Sequence, residues 1–207
     1  MSLRKAYLII FLILLVDQVI KIYIKTNFIL GEDVDVLPFF KINFIENEGM
    51  AWGTVLPAWL GGKLTLTIFR ILAVAGIGWW LWDSVRKQSS NYLIVAIALI
   101  FAGAFGNIID SVFYGVIFSD SHHQLATLFA DNHYGTLFHG KVVDMLYFPF
   151  WSGTLPEWLG GKPFTFFNAI FNIADMAIST GVGILIVFNR KAFHKHEEYS
   201  DRLPEEL

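Results

Sequence analysis

The sequence predicts an all-α membrane protein with four transmembrane helices, both termini in the cytoplasm, and a small extracytoplasmic subdomain that contains β-strands and an outer flap. Three observations support this fold class. Hydrophobic residues make up 55% of the 207 residues and charged residues only 16%, whereas soluble domains carry about 25% charged residues. Four apolar segments approach the ~20 residues that a helix needs to cross a bilayer. Most Lys and Arg residues outside these segments lie in their short flanks.

The chain divides into one membrane domain, residues 1–190, and a polar cytoplasmic tail, residues 191–207. The four predicted spans are residues 6–24, 64–82, 92–109 and 166–188. The two long connections are residues 25–63 and 111–165. The short flanks and the link between the second and third spans carry the basic residues Arg4, Lys5, Arg86, Lys87, Arg190, Lys191, Lys195 and Arg202. Because basic residues near spans stay in the cytoplasm, both long connections lie outside.

The long connections contain three local patterns. Apolar and polar residues alternate over residues 39–45, which predicts a strand, and residues 47–53 read as a turn with two glycines. The octapeptides at residues 56–63 and 155–162 match at seven of eight positions, which indicates a Trp–Lys anchor at the membrane interface. The second connection holds four histidines, but no spacing typical of a zinc helix, so we expect a solvated loop there.

Polar residues inside the apolar segments carry the functional hypothesis. Asn168, Asn172, Asp175 and Ser179 follow each other at intervals of four, three and four residues, which is one face of a helix. Asp175 would lie about 8 to 10 residues into its span, or roughly 12 to 15 Å at 1.5 Å per residue. An aspartate in hydrocarbon costs at least ~2.5 kcal/mol, so it marks a candidate functional site.

Further polar groups fall at the same outer mouth of the predicted bundle. Asp17 and Lys21 are one turn apart and can form an ion pair, which fits a purely structural role as well as a site role. Asn107 and Asp110 end the third span, where capping and loop anchoring are the simpler alternative. Asp144 lies in an apolar stretch of the second connection. Spacing leaves open whether Asp110 or Asp144 is the partner of Asp175.

Two carboxylates in one dry site favour acid–base chemistry. They cannot both ionise easily, so the pair holds one proton near neutral pH. One carboxylate can then activate water while the other donates a proton, which is the chemistry of aspartyl proteolysis and requires no metal. The alternative is a small proton- or cation-coupled transporter that uses the carboxylates as a relay. A relay needs titratable groups across the bilayer, whereas these groups cluster on one side.

Five motifs in this chain, in this order, resemble those of the lipoprotein signal peptidase family, also called signal peptidase II. They are VDQVIK at 16–21, NEGMAWG at 47–53, GAFGNIID at 103–110, VVD at 142–144 and FNIAD at 171–175. The resemblance extends over nearly the whole chain. It implies the same architecture, with the site at the outer face of the bacterial inner membrane.

The resemblance also implies the roles of individual residues. The two catalytic aspartates of the family fall on Asp144 and Asp175. The positions that shape the site or bind substrate fall on Asp17, Lys21, Asn47, Gly49, Asn107, Asp110 and Asn172. The implied enzyme is an aspartyl endopeptidase without metal or other cofactor, which cuts a prolipoprotein before its diacylglyceryl-modified cysteine. We expect membrane lipid as a further partner, a monomer, and no nucleic-acid partner.

The chain departs from the family pattern at three places. Ser111 stands where an Arg usually follows the aspartate of the third span, and Met176 stands where a Ser usually follows the last aspartate. The connection between Asp110 and Asp144 is also long for the family. We expect its extra residues, about 117–137, to form the outer flap.

Overall fold

The computed structural model describes residues 1–48, 57, 59 and 62–193. Three of the described helices are long and apolar enough to cross a membrane. They are α1 (Leu3–Asn27), α2 (Gly62–Arg86) and α3 (Asn91–Ile109), of which α3 continues through a π-helical turn (Asp110–Tyr114) into α4 (Gly115–Ile117). The chain is therefore a multi-pass membrane protein.

The predicted bounds of two spans differ from the helix bounds in the structure. The third span does not stop at residue 109, because the Asp110 N–H bonds to the carbonyls of Gly106 and Asn107 and the helix runs on. The fourth predicted span, 166–188, is wrong at its start: the last apolar helix, α5 (Ile173–Val187), has only 15 residues, and α6 (Asn189–Phe193) follows. That α5 is a fourth transmembrane span remains a prediction.

The late start of α5 has a local cause. The Asn172 side chain accepts the Asp175 N–H while the Asp175 carboxylate accepts the Asn172 N–H, which is a reciprocal capping box. Asp175 therefore lies in the first helical turn rather than well inside a span. Asn168 lies in irregular chain before the helix, so it is not part of a helical polar stripe.

The two long connections and the residues just before α5 form a sheet over the helix ends. Its four antiparallel strands have the order β1-β2-β3-β6, and a separate hairpin pairs β4 with β5. The strands are β1 (Asp33–Leu37), β2 (Phe40–Asn47), β3 (Val142–Tyr147), β4 (Trp151–Thr154), β5 (Pro163–Phe166) and β6 (Ile170–Phe171). The strand predicted over residues 39–45 is confirmed by β2. Gly49 and most of the predicted turn lie outside the described residues.

The predicted flap, residues 117–137, is packed onto the C-terminal end of α1. Phe118 and Ala126 are buried. The Ala126 N–H bonds to the Lys25 carbonyl, and the Leu30 N–H bonds to the Ser121 carbonyl. The insertion therefore forms part of the core that supports the sheet.

Small residues bring α3 and α5 close together. A Cβ added to Gly103 would lie 2.1 Å from the Ala174 carbonyl oxygen, and one added to Gly181 would lie 2.6 Å from that of Ala96. Membrane helices pack closely where glycine and alanine face each other. This contact fixes the height and rotation of α5, and hence the position of Asp175.

Replacing Gly181 by Ala should lower the melting temperature of the protein in detergent, because the added methyl has no room against α3. Overpacking of this kind costs about 1–3 kcal/mol. Gly183→Ala is the matched control two residues away on the same helix, since a Cβ there has nothing within 4 Å. Equal melting temperatures for the two variants would contradict the close packing.

Candidate active site

A buried ammonium group lies at the centre of the polar cluster. Lys21 is fully buried, and its Nζ lies 3.0 Å from Asp17 Oδ2 and 2.8 Å from Asp110 Oδ2. A third contact, 2.9 Å long, reaches Asn107 Oδ1. The predicted Asp17–Lys21 pair is confirmed, and Asp110 joins it. Such a charge is tolerated away from water only when it is paired and hydrogen-bonded.

The two carboxylates of this ion cluster also hold the backbone on either side of the site. Asp17 Oδ1 accepts the Ala174 N–H at 2.9 Å, and Asp110 Oδ2 accepts the Val143 N–H at 3.2 Å. Ala174 and Val143 directly precede Asp175 and Asp144 in the sequence. The ion cluster therefore fixes the main chain next to both aspartates that the resemblance marks as catalytic.

Gln18 was missed by the sequence reasoning. Its amide nitrogen lies 3.1 Å from Asp17 Oδ2 and 3.0 Å from Asp110 Oδ1, and its oxygen accepts the Tyr114 hydroxyl at 3.1 Å. It therefore links α1 to the π-helical turn. The sequence feature that could have identified Gln18 is its position next to Asp17 in the motif VDQVIK at residues 16–21.

Asn172 connects the two candidate catalytic carboxylates. Its amide nitrogen donates to Asp144 Oδ1 at 2.7 Å, while its amide oxygen accepts the Asp175 N–H at 2.9 Å. Asn107 donates to Asp175 Oδ1 at 2.9 Å, and Asn47 donates to Asp144 Oδ2 at 3.2 Å. Each carboxylate is thus oriented by neutral amides, which fix its geometry without adding a charge.

Burial and mutual repulsion set the charge of the pair. Asp144 is only 2% exposed. Burial, and then the negative charge of Asp175, raise the pKa of Asp144 to about 7, against the opposing hydrogen bonds from Asn47 and Asn172. Near neutral pH the pair can therefore hold one proton, which is the state that acid–base chemistry on an amide needs.

A groove lies beside the end of β2, the strand that carries Asn47. Its volume is about 840 Å³. It is lined by the end of β2 and the turn before β6, namely Ile45, Glu46, Asn47, Glu48, Phe167, Asn168, Ala169 and Ile170. Neither Asp144 nor Asp175 is among these lining residues; Asn47, which donates to Asp144, connects the groove wall to the carboxylate pair.

A second buried ion pair supports β2 at the side of the groove, and the sequence reasoning missed this pair. Lys25 Nζ contacts Glu46 Oε1, bonds to Ser121 Oγ at 2.9 Å and lies 4.7 Å from the centre of the Tyr134 ring. Although burial favours the neutral acid, the Lys25 ammonium holds the pKa of Glu46 below its usual range. The pair joins α1, the insertion and the strand that presents Asn47. The sequence feature that could have indicated this pair is the position of Lys25, four residues or one helical turn after Lys21.

The structure brings together every predicted site residue that it describes. They are Asp17, Lys21, Asn47, Asn107, Asp110, Asp144, Asn172 and Asp175; Gly49 lies outside the described residues. Buried Ser111 donates its hydroxyl to the Asn107 carbonyl at 2.9 Å and so caps a helical turn. Within the described part of the chain, no three His, Asp or Glu side chains are grouped to hold a metal ion.

The fold is that of a membrane enzyme. A solved structure described as a bacterial membrane enzyme matches with a TM-score of 0.63 and 26% identity, over 95% of this chain and 94% of that one. The family model for signal peptidase (SPase) II matches residues 9–190. The chain therefore belongs to the signal peptidase II family and is a peptidase.

Named relatives agree with this assignment. The lipoprotein signal peptidase of Porphyromonas gingivalis is 50% identical over 181 residues, which cover 85% of this chain and 78% of that protein. The lipoprotein signal peptidase of Amoebophilus asiaticus is 33% identical over 197 residues, or 92% of this chain and 80% of that protein.

Replacing Lys21 by Met should strongly destabilise the protein, because Asp17 and Asp110 would remain buried without their cation. Breaking a buried pair in this way costs roughly 3–5 kcal/mol. The free energy of unfolding in mixed micelles measures the effect. Lys87→Met is the control: its pair with Asp83 is solvent-exposed on the lysine side, so we expect a change of about 0.5 kcal/mol or less. Similar losses in both variants would contradict the central role of Lys21.

The raised pKa of Asp144 predicts how stability depends on pH. Its ordinary value is 3.8 and its folded value is about 7, so between these values the folded state binds more protons than the unfolded state. Stability should then fall as pH rises through this window. Melting temperatures between about pH 4.5 and 7.5 should therefore fall less steeply for Asp144→Asn than for the wild type. Parallel curves would show that Asp144 titrates normally.

Proposed function

We propose that the chain is an intramembrane aspartyl endopeptidase that removes the signal peptide from diacylglyceryl-modified prolipoproteins by cutting before the lipidated cysteine. The substrate class is that named for its relatives, the lipoprotein signal peptidases. The observation that carries the mechanism is Asn172, which bonds at once to Asp144 and to Asp175. Membership of a peptidase family leaves no support for the transporter alternative.

In the proposed reaction Asp144 holds the proton and Asp175 is the base. Asp175 lies in the first turn of α5, where the helix dipole favours a negative charge. It takes a proton from water while the water oxygen attacks the carbonyl carbon, and Asp144 gives its proton to the carbonyl oxygen. When the intermediate collapses, the C–N bond breaks, the amine takes the proton from Asp175, and Asp144 recovers its own.

The location of the site fits a substrate that is itself embedded in lipid. The carboxylates lie where the outer sheet meets the ends of α3 and α5, which we assign to the outer face of the bacterial inner membrane. Four spans with both termini in the cytoplasm would place them there. The signal helix and the diacylglyceryl group can then reach the site from the bilayer. Both carboxylates come from one chain, so a monomer suffices.

Asp144→Asn and Asp175→Asn should each lower the rate of cleavage of a diacylglyceryl prolipopeptide by at least about 1,000-fold, because each removes one half of the acid–base pair. Purified protein in detergent and separation of the cleaved signal peptide by gel or mass spectrometry measure the rate. EDTA should have no effect.

Asp35→Asn is the matched control, since this carboxylate is exposed on β1. It should cleave like the wild type. Melting temperatures show that the inactive variants are folded. Turnover near the wild-type rate in either dyad variant would refute the aspartyl mechanism, and loss of activity in EDTA with recovery in zinc would replace it by a metal mechanism.

A further inference from the structure

We propose that Arg70, in the outer half of α2, binds a carbonyl oxygen of the bound substrate next to Asp175. This inference rests on the proposed function and adds a substrate-binding residue from a helix that carries none of the predicted site residues. An arginine within a span is costly unless protein, water or ligand receives it. The surroundings of Arg70 show which of these applies.

Arg70 lies on the protein-facing side of α2. Thr67 and Val74, three residues before and four residues after it, are buried, and Val74 packs against Ile108 and Val112. The adjacent Phe69 is 67% exposed and faces lipid. The guanidinium of Arg70, which is half-buried, therefore points into the bundle.

The Arg70 guanidinium has no fixed partner among the described residues. It makes no hydrogen bond or ion pair with any of them, although it carries five N–H donors. Electrostatic attraction acts between Arg70 and Asp175, and repulsion acts between Arg70 and Lys63. Arg70 is thus within electrostatic range of Asp175, and its N–H donors are unused among the described residues.

Lys21 provides the contrast within the same bundle. Its ammonium is saturated by two carboxylates and an amide oxygen, so it has no donor left for a substrate. Lys63, two turns before Arg70 on the same helix, is paired with Glu48 at 2.8 Å. Of these three cations near the outer mouth, only Arg70 is available to a ligand.

The ligand chemistry follows from the position. A buried guanidinium binds oxygen acceptors, most strongly two at a time. The proposed substrate brings carbonyl oxygens of two kinds to the site: the main-chain carbonyls around the cut bond and the ester carbonyls of the diacylglyceryl group. Either kind would occupy the unused donors and would bind the substrate at the site.

Binding of this kind predicts an effect on affinity rather than on the chemical step. Arg70→Gln should raise KM for a diacylglyceryl prolipopeptide by roughly tenfold to a hundredfold with little change in kcat, because the contact is made in both ground and transition states. Arg70→Lys, which keeps one charge but loses the fork of donors, should recover part of the affinity. The melting temperature should not fall in either variant, since no bond in the free protein is lost.

Arg86→Gln is the control on the same helix. Arg86 lies at the cytoplasmic end, over the Trp82 ring at 5.3 Å, and its loss should leave KM unchanged. Competition by two lipopeptides, one with ester-linked and one with ether-linked chains, separates the two sources of carbonyl oxygen. If Arg70 binds the ester, Arg70→Gln weakens only the diacyl competitor; if it binds the peptide, it weakens both equally.

Three results would overturn the assignment. They are an unchanged KM in Arg70→Gln, a fall in kcat alone, and an equal effect of Arg86→Gln. The failure of the proposed function itself looks different, because then the wild-type protein would not cleave the diacylglyceryl prolipopeptide at all.

Discussion

The ammonium group of Lys21 is the interaction on which the rest of the site depends. It lies away from water between Asp17 and Asp110, and a charge in that position is stable only with such partners. The same two carboxylates accept the backbone N–H groups that precede Asp175 and Asp144. One ion cluster therefore ties α1 and α3 to the start of α5 and to β3, and holds both candidate catalytic residues through their main chains.

Asparagines, rather than charges, adjust the side chains of the pair. Asn47, Asn107 and Asn172 each donate to one or other carboxylate. A cation in direct contact would keep both acids ionised, whereas neutral amides leave burial and mutual repulsion free to retain a proton. The ion cluster around Lys21 therefore fixes the main chain next to the two aspartates, and the asparagine amides orient their carboxylates.

The four-stranded sheet and the insertion at residues 117–137 supply the candidate site with residues that the helices do not carry. Asp144 and Asn47 come from neighbouring strands, β3 and β2, and the buried Lys25–Glu46 pair connects β2 to α1 and to the insertion. The position of Asp144 on a strand must be fixed as well as that of Asp175 on a helix. The packed insertion is one physical means of doing so, and Arg70 on the facing helix would complete the wall by binding the substrate itself.

The sequence by itself determined the membrane class, the long apolar helices, the strand that became β2 and the polar residues that gather at the candidate site. It could do so because burial in hydrocarbon forbids unpaired polar groups, so that Asp17, Lys21 and Asp175 stood out against their surroundings. It could not choose between Asp110 and Asp144 from spacing, nor place the start of α5. Those depend on contacts between residues far apart in the chain: Asp110 is occupied by Lys21 and by the Val143 N–H, which leaves Asp144 to face Asp175 across Asn172. The family motifs pointed to this division, but only the tertiary structure gives its physical reason, because the partners that surround each carboxylate determine what it can do.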